Sequence, residues 1–222
     1  MKRIAVLTSN KGTGSNLEAI LKAIESKKIR NGKVVVVVSD KEDAQGLNRA
    51  RKRNIPALFF PPKGKTRLEY DEELGKLLKN KYHVDLVVLA GWMLILSDHF
   101  INYFPDKTIN LHPGLLPDTG EFITLKNGQK IKAIRGLHTN TAVQYAIDHH
   151  YPVTGSTVHF ITPSVDQGPV ILRSEVKIKK GDTVENLYQR MKKEEHIILP
   201  KAVSLYCEYK LNIKNGKVHI KP

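Results

Sequence analysis

The chain has a single cysteine in 222 residues, which excludes a disulfide scaffold and any structural zinc site built on thiolates. That residue, Cys207, sits in a late apolar stretch and reads as a buried thiol rather than a nucleophile. Long apolar runs are missing too, and none approaches the ~18 residues that a membrane span needs. Met1-Lys2-Arg3-Ile4 enters an apolar strand at once, with no cleavage-site pattern. No signal peptide is therefore expected, and a soluble cytoplasmic protein is. Metal-ligand spacing is absent: neither H-E-x-x-H nor C-x-x-C occurs, and His138, His149, His150 and His196 show no paired spacing. No metal is expected. Internal repeats and low-complexity linkers are also lacking, which leaves one domain over residues 1–222 as the expectation.

Acidic residues are scarce. There are 22 Asp and Glu against 36 Lys and Arg, a net charge of +14 with neutral histidines. Such a chain attracts polyanions, so nucleic acid has to be considered, as does a small anionic substrate. The basic residues are scattered, and no segment interleaves them with aromatics as a base-stacking platform would. Small-molecule substrates are expected, with no membrane partner and no nucleic acid, in a monomer or homodimer.

What is present alternates. Arg3 to Thr8 is an apolar, β-branched run followed by Gly12-Thr13-Gly14. Ser15 with Glu18 reads as a capping box opening a helix through Leu17, Ile20, Leu21 and Ile24. Val34 to Val38, Ala57 to Phe60, Asp85 to Ala90 and Thr108 to Leu111 read as strands. Helices fall between them, around Ala44 to Arg53 and along Leu68, Leu74, Leu77 and Leu78. The pattern predicts an α/β fold with a Rossmann-like, mostly parallel sheet and helices on both faces. After Pro117 the alternation breaks. Residues 122–134 around Asn127-Gly128 predict a hairpin on a two-residue type I′ turn. A helix over Thr141 to His149 and strands over Val153 to Thr162 and Val170 to Ile178 follow. Asp182 with Glu185 opens a long helix that Pro200 should kink or split. Leu211 to Ile220 around Asn215-Gly216 predicts a second hairpin, as an edge element.

In open α/β sheets, ligands bind beyond the carboxyl ends of the strands, and three strand ends carry chemistry. Lys11, Gly12, Gly14, Ser15 and Asn16 follow the first, where glycines and free helix N–H groups suit a phosphate. The same residues also read as a plain strand-to-helix turn. Asn110 and His112, two apart, project to one side of an extended segment. An amide donor beside an imidazole fits acyl chemistry, and both also read as satisfied capping groups. Asp166, in Asp166-Gln167-Gly168-Pro169, is a carboxylate or a turn-former. His159 reads as a core histidine.

Taken in order along nearly the whole chain, these segments resemble the folate-dependent formyltransferases. The stretch Asn110-Leu111-His112-Pro113-Gly114-Leu115-Leu116-Pro117 and the later Asp166-Gln167-Gly168-Pro169 carry the superfamily pattern. Gly12-Thr13-Gly14-Ser15-Asn16 favours the glycinamide ribonucleotide transformylases within it. The resemblance implies a formyl transferase of purine biosynthesis with 10-formyltetrahydrofolate as co-substrate and no metal. It implies Asn110, His112 and Asp166 as the catalytic trio, with His159 and His138 supporting. It implies Gly12, Gly14, Ser15, Asn16, Lys192 and Glu195 around the substrate's phosphate and ribose. Met93, Leu94, Ile95, Leu96, Ile161 and Val165 fall to the folate pocket.

Several positions depart from that pattern. Ser9-Asn10-Lys11 lengthens the first turn, Leu94 replaces a frequent arginine, and Thr139-Asn140 stands where a second histidine is frequent. The largest departure is an insertion from about Asp118 to Arg135, directly after the catalytic loop. It could cap the cleft, form an oligomer contact or be a neutral surface insertion. Other members of the superfamily, acting on a sugar nucleotide amine or methionyl-tRNA, and a formyltetrahydrofolate deformylase are the alternative enzymes. A basic nucleic-acid-binding module is the alternative without catalysis.

Overall fold

The computed structural model describes residues 1–9, 13–125 and 127–222. The expectations for Lys11 and Gly12 lie outside those residues.

Five parallel strands, β1 (Lys2–Leu7), β2 (Gly32–Ser39), β3 (Ala57–Phe59), β4 (Leu86–Leu89) and β5 (Thr108–His112), stand in the order β3-β2-β1-β4-β5. After a short hairpin, β6 (Phe122–Thr124) and β7 (Lys130–Lys132), the chain adds β8 (Val153–Phe160) and β9 (Val170–Lys177) beyond β5. Both pair antiparallel, so the seven-stranded sheet is mixed and mostly parallel.

The β-branched runs mark strands covered on both faces. Ile4 and Val6 of β1 join Val37, Val88 and Val158 in one core, whereas Ala5 and Leu7 join Val36, Val38 and Val87 in the other. The first core is closed by α1 (Ser15–Glu25), α2 (Gln45–Arg51) and the long helix α6 (Val184–Cys207). The second is closed by α3 (Arg67–Lys76), which continues as a π-helical turn over Leu77–Lys81, and by α4 (Asp98–Tyr103). Tyr70, Leu74 and Leu78 are the residues that face this core, and Leu68 is exposed. The remaining helix, α5 (Thr139–Asp148), packs on α6. No described helix is long and apolar enough to cross a membrane.

Local expectations differ from the structure at five points. The Ser15–Glu18 capping box does not form, because Gly14 rather than Ser15 is the N-cap of α1. The β6–β7 turn spans three residues: Leu125 N–H donates to Gln129 O (2.8 Å) and Gly128 N–H to Leu125 O (2.9 Å), with Gly128 at φ 83°. That is the three-residue hairpin geometry, in which glycine supplies the left-handed residue. Thr183, not Asp182, caps α6 by accepting from Asn186 N–H, and Asp182 pairs with Arg190 instead. Pro200 does not split α6, which continues through it with the proline buried. Finally, β10 (Leu211–Lys214) and β11 (Lys217–Ile220) form a separate two-stranded sheet, not an edge of the main one. Asn215 and Gly216 both have positive φ there, as a type I′ turn requires.

Candidate active site

The carboxyl end of β1 opens into a cavity of about 290 Å³. Gly14 lies at φ 62°, and a Cβ there would stand 2.9 Å from the Gly46 backbone nitrogen. Glycine is required on both counts. With only backbone at the cap, Glu18 is released to pair with Arg49 and Arg53, each at 2.8 Å, and Arg49 Nε donates to Thr13 O at 2.7 Å. These contacts brace the turn from behind. The first-turn N–H groups of α1 have no intrahelical acceptor and sit at the positive end of the helix dipole. Gly14, Ser15 and Asn16 line the cavity.

Asn16 Nδ2 donates to Glu195 Oε2 (3.1 Å), and Ser156 Oγ donates to Glu195 Oε1 (2.9 Å). Burial pushes the Glu195 carboxyl pKa up, against the opposing pull of Asn16, Ser156 and Lys192. Among the described residues, Asn16 Oδ1 is buried with no hydrogen-bond partner. One turn earlier in α6, Lys192 lies 4.9 Å from the centre of the Tyr188 ring, and both line the cavity. Tyr188 was not singled out from the sequence. An aromatic one helical turn before a lysine was the available signal.

A second cavity, of about 250 Å³, adjoins the first and shares Gly91, Met93, Leu111, Pro113, His138 and Thr139 as walls. Met93, Leu94, Ile95, Leu96, Ile161 and Val165 all line it. The loop after β4 that carries the first four is tied to the β1 turn: Met93 N–H donates to Ser9 Oγ (2.9 Å) and Ser9 N–H to Gly91 O (3.0 Å).

At the floor of this second cavity the trio meets. Asn110 and His112, two apart on β5, share one side of the strand, and both line this cavity. Antiparallel pairing places His159 opposite Asn110, with Asn110 Nδ2 to His159 Nε2 at 3.3 Å. The loop after β8 returns Asp166 at φ 53°, with Oδ2 3.2 Å from His112 Nδ1 and Oδ1 3.5 Å from His159 Nε2. The structure brings together every described residue expected at the two subsites. His138, the N-cap of α5, stands where they join.

Burial drives the Asp166 carboxyl upward. Hydrogen bonding to His159, the charge of His112 and the Gly136 N–H outweigh it and leave the pKa at about 2. For His112, burial lowers the pKa and the Asp166 carboxylate only partly restores it. Its Nε2 lies 2.6 Å from the carbonyl of Ile134. A carbonyl only accepts, so Nε2 carries a proton and Nδ1 is the basic nitrogen facing Asp166. When Nδ1 also holds a proton, the ring and the Asp166 carboxylate form a charge-assisted bond.

Sequence reasoning missed three consecutive residues at the end of the insertion. Ile134 O meets His112, Arg135 Nε donates to the Asp166 main-chain carbonyl (3.0 Å), and Gly136 N–H donates to Asp166 Oδ2 (2.8 Å). The only available signal was an insertion falling directly between the catalytic loop and Gly136-Leu137-His138. Among the described residues no group of His, Cys, Asp and Glu could hold a metal.

Residues 2–203 match the family model described as formyl transferase. A phosphoribosylglycinamide formyltransferase of Haemophilus influenzae is 35% identical over 221 residues, covering 99% of this chain and 94% of that one. The human trifunctional purine biosynthetic protein adenosine-3 is 35% identical over 218 residues, of which this chain spans 19% of the length. Among solved structures, glycinamide ribonucleotide transformylase 1 of Symbiobacterium toebii superposes with a TM-score of 0.87 at 41% identity, covering 99% of this chain and 94% of that one. With its sheet order, its Asn-His-Asp cluster and a match over nine-tenths of its length, the chain belongs to the formyl transferase family.

Proposed function

We propose that this protein transfers the formyl group of 10-formyltetrahydrofolate to the amine of glycinamide ribonucleotide, a step of purine biosynthesis, with residues 1–222 acting as one domain. The observation that carries this reading is the adjacency of two cavities, one walled by Leu94, Ile95, Leu96 and Ile161 and holding the trio, the other built on a helix N-terminus with Ser15, Asn16, Lys192 and Glu195 in its wall. The relatives named as phosphoribosylglycinamide formyltransferases support it.

The cavity that holds the trio takes the folate ring system, stacked among Leu94, Leu96 and Ile161. The cavity at the start of α1 takes the ribonucleotide. Its phosphate meets the N–H groups of Ser15 and Asn16 and the Lys192 ammonium, while Glu195 accepts from ribose hydroxyls. The unpartnered Asn16 Oδ1 accepts from the same donors.

The neutral amine attacks the formyl carbon, forming the new C–N bond and an oxyanion. Asn110 donates to that oxygen. The proton leaving the amine passes to the His112–Asp166 pair and then to the departing folate nitrogen as its bond to the formyl carbon breaks. Holding the amine against the carbonyl supplies much of the acceleration.

The test is direct: the purified protein is given glycinamide ribonucleotide and 10-formyltetrahydrofolate, and loss of the donor is followed with mass spectrometry of the product. Formylated ribonucleotide is the expected product. Formate released without an acceptor, or formylation of a sugar nucleotide or methionyl-tRNA alone, would overturn the assignment.

A further inference from the structure

We propose that Arg135, at the base of the inserted hairpin, is a positioning residue that hangs the Asp166 loop on that hairpin and so sets the His112–Asp166 pair for proton transfer; this rests on the formyl-transfer reading above. Its guanidinium joins two main-chain carbonyls, Nε donating to Asp166 O at 3.0 Å and Nη2 to Gly120 O at 2.8 Å. Asp166 sits in the left-handed region at φ 53°. Aspartate enters this region more readily than most residues, and its neighbours decide whether it stays. Besides the His112 and His159 rings, those neighbours are Arg135 and Gly136, with Ile134 behind His112. Ile134 binds the imidazole, Arg135 the main-chain carbonyl of Asp166, and Gly136 the carboxylate oxygen.

Two of these three contacts come from backbone, which any sequence supplies. Arg135 is the one made by a side chain, and a planar fork suits two carbonyls where a lysine would reach one. The hairpin beneath it is a built element. Ile123, Leu125 and Ile131 bury with Leu115 of the catalytic loop. Arg173 Nε donates to Leu116 O at 2.6 Å and pairs with Asp118, pinning the point where the insertion departs. The insertion is thus pinned to β9 where it departs and to His112 and Asp166 where it returns. That anchoring answers what so large a departure does directly after the catalytic loop.

The experiment compares wild type with Arg135→Ala, Arg135→Lys and, as a control on the exposed face of the hairpin, Lys130→Ala. Arg135→Ala should lose about 10- to 100-fold in kcat, with KM for both substrates little changed. Dilute guanidinium should restore part of the rate, Arg135→Lys should recover little, and Lys130→Ala should match wild type. The second readout needs no substrate: an NMR titration of the His112 ring. The groups facing that ring are Asp166, His159 and Arg135 itself. Loosening the Asp166 carboxylate, which raises the ring's pKa more than the Arg135 cation lowers it, should move its midpoint downward, whereas an upward move would mark loss of the cation's charge alone and overturn the positioning role. An unchanged kcat and an unchanged titration in Arg135→Ala would overturn the proposal. So would a loss of kcat that follows the melting temperature and is not restored by guanidinium. If the wild type fails to consume the formyl donor, the formyl-transfer reading falls, while the titration still decides whether Arg135 governs His112.

Discussion

Asn16 and Glu195 meet at 3.1 Å although 179 residues separate them, the amide at the start of α1 donating to a carboxylate on α6. The bond closes the cavity at the start of α1 and leaves Glu195 almost wholly enclosed. Burial raises its pKa, so the ionised form opposes folding. The sign is that of a raised acid: its contribution to stability is complete below the unfolded pKa and is lost as pH rises through the folded one. Glu195→Gln should therefore melt at a higher temperature than wild type at neutral pH. The same variant should weaken ribonucleotide binding by about 10- to 100-fold, the worth of a hydrogen bond to a charged group. Thermal melts and KM on one preparation check both directions. A variant that melts lower and binds normally would show the carboxylate to be structural.

Asp166 shows the opposite sign. Its pKa falls from 3.8 to about 2. It contributes stability that is full above the unfolded value and lost as pH falls toward the folded one, an amount of about 2 kcal/mol. Denaturant unfolding at pH 5 and pH 2.5 should show wild type losing an advantage over Asp166→Asn across that window. In turnover, the same substitution should reduce kcat by about 10²–10⁴-fold, the usual range for an acid–base group. Folate binding should remain measurable by titration.

Asn110 is proposed as the oxyanion donor, and among the described residues its amide hydrogen-bonds only the His159 ring. Asn110→Ala should lower kcat by about 10²–10³-fold with little change in either KM. Steady-state kinetics separate this from a binding defect, in which KM would rise and kcat would hold.

Gly14→Ala introduces a Cβ 2.9 Å from a backbone nitrogen at a residue with φ 62°. The strain should cost about 1–3 kcal/mol of stability. Because the displaced turn is the one proposed to meet the phosphate, KM for the ribonucleotide should rise while folate binding persists. Equal losses for both ligands would argue that the turn serves packing alone.

Much of this was legible in the chain because the signals were local. The β-branched runs of β1, β2 and β4 announce strands covered on both faces, and a spacing of two places Asn110 and His112 on one side of β5. The proposed trio of Asn110, His112 and Asp166 rests on the resemblance rather than on spacing, since Asp166 comes from another loop. What escaped depended on backbone. Gly14 displaced Ser15 as the cap because a left-handed cap leaves the serine no capping position. The role of Ile134 is played by a carbonyl, which every residue possesses and no motif records. Asp166 reads as an ordinary turn former, and only the assembled fold sets its carboxylate between two imidazoles.

The lone thiol has a practical use. Cys207 is sealed at the end of α6, its pKa pushed up to about 12 by burial, and its sulfur is among the atoms nearest to where a Cβ on Gly32 would stand. Maleimide reagents should therefore pass the native chain by. A cysteine introduced at Thr124 would be the sole reactive handle, so a fluorophore could report hairpin motion during turnover without first stripping the protein of its own sulfur.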